Sequence, residues 1–209
     1  MATPPNNEKF KNQAQVRTLQ MRIGTSKQID TERYVEGYAA RYEPYLLYDD
    51  GDWGRTFEQF DPNCFAETDM SDVILQYDHQ GRVYARTTNG TLIVRADGDG
   101  LFMAADLDRT AGARELYEDI AAGMITKMSW RFTPGDYYVE RTEGSKDVTI
   151  VHTRVKKIYD VSAVSIPANN NTEINARGWC DGVIAAAARS EAELDERRRR
   201  LRLKIETEV

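Results

Sequence analysis

The sequence predicts a β-rich α+β fold, and three observations carry that prediction. Short runs of aromatic and β-branched residues recur between Tyr34 and Ile166, separated by Asp-Gly, Pro-Gly and Asp-Pro-Asn turns. A single helical pattern, residues 111–122, interrupts those runs, with Leu116 and Ile120 on one face. Beyond residue 172 the chain turns alanine-rich and then charged, which reads as helix.

Taken in order, residues 1–28 are rich in Asn, Gln, Lys and Arg and have little periodicity. They are expected to form a flexible N-terminal arm, with a weak strand signal at residues 16–23. Residues 34–42 carry tyrosines around Gly37, the pattern of a strand with a close approach or bulge. Asp49-Asp50-Gly51-Asp52 reads as a turn; it lacks the spaced ligands and closing Glu of a calcium loop. Residues 57–65 give a strand ending in Asp61-Pro62-Asn63, and residues 72–76 a short apolar run that places His79 at a strand end. Residues 91–95 and 101–106, joined through Asp97-Gly98-Asp99-Gly100, predict a hairpin.

Gly123 stands where a left-handed helix C-cap is expected, and Met128-Ser129-Trp130-Arg131-Phe132 then alternates as a half-buried strand, so that Ser129 and Arg131 share a face. Strands follow at residues 137–141, 148–156 and 157–166, ending at Pro167-Ala168-Asn169. Ser190 and Glu193 fit a capping box opening a helix to about residue 206, with Leu194, Leu201 and Ile205 as a narrow stripe. The expected organisation is an arm (1–28), a folded domain (29–175) and a C-terminal helical extension (176–209).

With 209 residues, 41% of them hydrophobic and 30% charged, the chain holds one full core plus polar appendages. A net charge of −6 argues against a generally basic nucleic-acid surface. The run Arg197–Arg200 stands close after Glu193, Asp195 and Glu196, which can pair with it, and this suits a solvated or partner-docking helix. Cys64 and Cys180 are the only cysteines and have no metal-like spacing. The N-terminus lacks the apolar segment of a secretion signal, which points to a reducing cytosol without disulfides. No apolar run reaches membrane-spanning length, and no phosphate loop is present. No cofactor or metal is expected.

Two residue types suggest chemistry. Acyl transfer needs a nucleophile and a base of near-neutral pKa, and His79 and His152 are the only imidazoles. His79 adjoins Asp78 near Gly81 at a strand end, where loops expose functional groups, whereas His152 lies in an alternating strand and reads as a surface residue. Ser129 is the candidate nucleophile. Donors for the developing oxyanion would come from backbone N–H groups nearby or from the Arg131 guanidinium.

Six segments in order carry a resemblance: Gly37-Tyr38-Ala39-Ala40, residues 57–65, residues 73–79 ending at His79, Asp99-Gly100-Leu101, residues 123–132, and Tyr159-Asp160-Val161-Ser162 before Pro167-Ala168-Asn169. Together they resemble the prohead maturation proteases of tailed bacteriophages, over about residues 34–171. That resemblance implies an antiparallel β-barrel of the herpesvirus assemblin type wrapped by helices. It also implies a serine endopeptidase with Ser129 as nucleophile, His79 as general base and Asp160 as the acidic third member. Asp78, beside His79, and a pairing of Asp160 with Lys156 or Lys157 are the competing local readings. Lys127 and Arg131 stand where the family usually has small residues.

The implied substrates are scaffold and major capsid protein, together with the protease itself, inside the assembling procapsid of a bacterial host. Homo-oligomers are compatible with this reading, and neither membrane nor nucleic acid is an expected partner. The alternative from another class is a non-catalytic β-barrel acting as a structural or scaffolding module.

Overall fold

The computed structural model describes residues 15–23, 28–141, 143–165 and 170–207. Its strands are β1 (Gln15–Ile23), β2 (Tyr34–Arg41), β3 (Tyr45–Asp49), β4 (Arg55–Phe60), β5 (Ile74–Tyr77), β6 (Gln80–Arg86), β7 (Leu92–Asp97), β8 (Gly100–Asp106), β9 (Lys127–Pro134), β10 (Tyr137–Arg141), β11 (Val148–His152) and β12 (Val155–Val164). The helices are α1 (Ala111–Ala121) and α2 (Asn170–Thr207). The β-rich α+β expectation therefore matches the described residues.

The strands form two sheets, one of eight in the order β6-β5-β12-β9-β1-β2-β8-β7 and one of four in the order β10-β11-β4-β3. Neither order closes on itself, so the closed antiparallel barrel implied by the resemblance is not seen among the described residues. Two pairings, β12 with β5 and β11 with β4, are also parallel. The larger sheet does curl. Its edge strands β6 and β7 are joined by only five residues around the 3₁₀ turn Thr87–Asn89, a span of at most about 21 Å.

Residues 15–23 depart from the expected flexible arm. β1 lies inside the large sheet, pairing with β9 from Gln15 to Gln20 and with β2 from Met21 to Ile23. The alternation in this strand is weak because Arg17 points inward, so hydrophobic periodicity alone understates it. The remainder of the expected arm falls outside the described residues.

Alternation along β9 divides two environments. Met128, Trp130 and Phe132 face the main core, where Trp130 and Phe132 stack at 4.1 Å between ring centroids and Phe60 packs 5.3 Å from Trp130. Val161 and Ala163 of β12 line the same side. Ser129 and Arg131 point the other way.

Helix α1 is delimited as its residues require. The Thr110 side chain accepts a hydrogen bond from the Ala113 N–H at 3.2 Å at its start. At its end the N–H groups of Gly123 and Met124 reach the carbonyls of Ile120 and Asp119 at 3.1 and 2.9 Å, a Schellman closure, with Gly123 at φ +72°. That closure turns the chain directly into β9.

Helix α2 differs from expectation in being continuous through Ser190, so the capping box opens no new helix. The alanines at 185–188 carry helical propensity across that point. Arg198 pairs with Asp195 at 3.4 Å and Arg200 with Glu196 at 3.0 Å, as acids three and four positions ahead of the arginines predict. Leu194 is 52% exposed; Leu201 and Ile205 lie outside the residues whose side chains are described. No helix is long and apolar enough to cross a membrane among the described residues.

Candidate active site

The site begins at a two-residue hairpin turn. Tyr77 of β5 pairs with Gln80 of β6, leaving Asp78 and His79 as the central residues, with φ of +49° and +58°. Positive φ at both centres is the type I′ geometry that joins twisted strands without splaying them. Asp and His tolerate this region better than most residues, but the turn is still costlier than Asn-Gly. Anchors offset that cost. The Asp78 N–H donates to the Ala163 carbonyl at 2.9 Å, and the Asp78 carboxylate accepts from the N–H and hydroxyl of Ser165, both at 3.0 Å. Asp78 thus fastens the turn to the end of β12 instead of orienting the neighbouring imidazole.

His79 reaches back along β12. Its Nδ1 lies 2.5 Å from Oδ1 of Asp160, whose side chain is fully buried. An ionised carboxylate only accepts, so Nδ1 donates this hydrogen bond and Nε2 is the ring nitrogen facing away from Asp160. The same Oδ1 accepts a hydrogen bond from the buried Ser162 hydroxyl at 2.8 Å. Oδ2 lies 2.8 Å from a guanidinium nitrogen of Arg131. Asp160 does not pair with the neighbouring lysine at 157, which bonds Asp69 at 2.7 Å.

Strand pairing brings Ser129 beside this group. In the β9–β12 ladder Ser129 stands opposite Ser162 and Arg131 opposite Asp160. Cross-strand neighbours have Cβ atoms roughly 4.5–5.5 Å apart, so Ser129 lies on the same face within one side-chain length of the Asp160 cluster. Ser129 Oγ and His79 Nε2 are both buried, and neither has a hydrogen-bond partner among the described residues. The direct Ser129–His79 bond expected from the sequence is therefore not formed here. Catalytic hydrogen bonds are often long before substrate binds.

The backbone around Ser129 is flanked by β12 on one side and β1 on the other, with Thr18 opposite Ser129. Its N–H groups belong to the sheet ladder, so the backbone oxyanion donors that the sequence suggested are committed elsewhere. Among the described residues no group of three or more His, Cys, Asp or Glu is placed to hold a metal ion.

His152, expected at the surface, is fully buried and donates or accepts through Nε2 at 2.9 Å from Glu58 Oε1. It stacks on Phe60 with ring centroids 4.8 Å apart. Glu58 also receives Arg17, one of whose nitrogens is 2.6 Å away, and the Tyr45 hydroxyl. Burial alone would push the Glu58 carboxyl up, but Arg17 and His152 outweigh it and hold it well below the usual carboxylate range. Nothing in the sequence separates this cluster from solvated polar residues, because its members come from β1, β3, β4 and β11. Ser162 was likewise not singled out, although its place two residues after Asp160 puts both on one strand face.

No curated protein matches the chain. Among solved structures it is similar to the bacteriophage T4 capsid assembly protease gp21, with 14% identity and a TM-score of 0.42, covering 75% of this chain and 100% of that one. Residues 18–180 match a family described as the caudovirus prohead serine proteases, a span holding every strand from β2 to β12 and each of Ser129, His79 and Asp160. The chain belongs to the caudovirus prohead serine protease family.

Proposed function

We propose that this protein is a serine endopeptidase of phage head maturation that cleaves scaffold or capsid-protein extensions, and itself, through an acyl-enzyme. The observation that carries the assignment of residues is the ordered group Asp160–His79 with an unpartnered Nε2, beside an unpartnered Ser129 hydroxyl. Ser129 Oγ attacks the scissile carbonyl carbon while His79 Nε2 takes its proton. Asp160 stabilises the imidazolium that results. His79 then protonates the amine as the C–N bond breaks, and water repeats the sequence to release the acyl group from Ser129.

The oxyanion formed on attack needs donors, and Arg131 is the side chain the sequence offers for it. Its guanidinium already engages Asp160 through one nitrogen.

The test is co-expression with the capsid and scaffold proteins of the same phage, followed by mass spectrometry of the products. Ser129→Ala and His79→Ala are expected to keep the wild-type melting temperature within a few degrees. Each should lower processing by at least about a thousand-fold. Continued trimming by Ser129→Ala would remove that residue as nucleophile and favour a structural module.

A further inference from the structure

We infer that Arg131 is a positioning residue that acts on the reaction through Asp160, not through the oxyanion. The inference rests on the proposed roles of Ser129, His79 and Asp160. Three contacts converge on one buried carboxylate: His79 Nδ1 at 2.5 Å and Ser162 Oγ at 2.8 Å on Oδ1, and the Arg131 guanidinium at 2.8 Å on Oδ2. Oδ1 is thus held by two hydrogen bonds, while Oδ2 has no hydrogen-bond partner among the described residues and meets Arg131 as an ion pair.

Arg131 is itself constrained. It stands directly opposite Asp160 in the ladder, and its guanidinium carbon lies 6.0 Å from the centroid of the Tyr159 ring. The side chain is 36% exposed while Asp160 is fully buried, so Arg131 is the route by which that buried charge meets a countercharge at the surface. Without it, Asp160 would retain only His79 and Ser162. An ionised carboxylate buried with only a neutral imidazole and a hydroxyl is poorly compensated. The expected response is rotation or protonation, either of which releases Nδ1 of His79 and with it the orientation of Nε2 toward Ser129.

The experiment uses the full chain and a fluorophosphonate probe, which phosphonylates activated serines, with the labelling rate as readout. Arg131→Ala is expected to slow labelling about 10- to 100-fold in the wild-type background. In Asp160→Ala the same change should cost less than about threefold, because a residue acting through Asp160 has nothing left to position. Arg131→Lys should recover part of the rate. Equal losses in both backgrounds would overturn the inference and return Arg131 to the oxyanion.

A second readout does not depend on residual activity. With two histidines in the chain, the proton NMR signal of the His79 Nδ1–H is assigned by its loss in His79→Ala. Arg131→Ala should move or broaden that signal, and an oxyanion donor would leave it in place. Should Arg131→Ala melt below the assay temperature, Arg131→Gln completes both measurements. Labelling of Ser129→Ala, or wild-type labelling of Asp160→Ala, would instead sink the site assignment on which the inference stands.

Discussion

At the scale of single residues, the chain separates two buried carboxylates by what surrounds them. Asp160 sits on the β9–β12 face with His79, whereas Glu58 is locked between Arg17, His152 and Tyr45 inside the fold. Glu58 keeps its proton off at far lower pH than an unfolded glutamate, which titrates near about 4.3. A depressed folded value means that the unfolded chain takes up the proton first as pH falls. Glu58 therefore contributes stability above about pH 4.3 that is lost on acidification below it. Glu58→Gln is expected to cost roughly 3 kcal/mol at neutral pH, since it removes the buried countercharge paired with Arg17. It should also flatten the fall in stability between about pH 4.5 and pH 2, as urea titrations at several pH values would read. Strand alternation and turn composition are local signals, and they placed Ser129 on a half-buried strand and His79 at a strand end; the roles proposed for both came from the ordered resemblance. The same signals placed His152 wrongly because burial against Glu58 depends on residues far away in the chain, beyond any periodicity. Asp160 needed the ordered resemblance, since its partners Arg131 and His79 lie 29 and 81 positions off.

At the scale of elements, the β5–β6 turn is the piece whose local chemistry matters most. Most strands from Tyr34 to Val164 were legible from turn residues and aromatic runs. β3 and β6 were not, β3 because it has no fully buried residue and runs into the Asp49–Asp52 turn, and β6 because it is exposed along its first four residues, which leaves no apolar alternation to read. The turn holds His79 in a backbone region that ordinary residues avoid, and Asp78 supplies the anchor to Ser165. Asp78→Asn keeps an acceptor and tolerates positive φ, so it should retain most of the activity. Asp78→Ala loses the anchor and adds strain, and about a tenfold drop in probe labelling is expected from the displaced imidazole. Equal behaviour of the two variants would show that the anchor does not hold His79 in place. The break expected at Ser190 failed for a reason of the same local kind: a capping box is a signal only where the preceding residues leave the helix, and the alanines before it do not.

At the scale of the whole molecule, the terminal segments differ in what they hold. α2 packs through Cys180 and Val183 against the small sheet around Ile150, and its residues from Arg189 to Arg200 are exposed. Removing residues 190–209 should leave the melting temperature within about 3 °C of the full chain. Removing residues 1–23 should abolish the cooperative transition in circular dichroism, because β1 joins β9 to β2 and carries Arg17. A folded product after that N-terminal deletion would mean the two halves of the large sheet support themselves.

The position of β1 also sets an order in time. β1, the first of the described strands, takes as one neighbour β9, which begins more than a hundred residues later. Such non-local pairing is slow to form, and it waits until most of the chain exists. Ser129 therefore has no completed strand neighbourhood until β12 has been made, and the proposed nucleophile is assembled among the later parts of the fold.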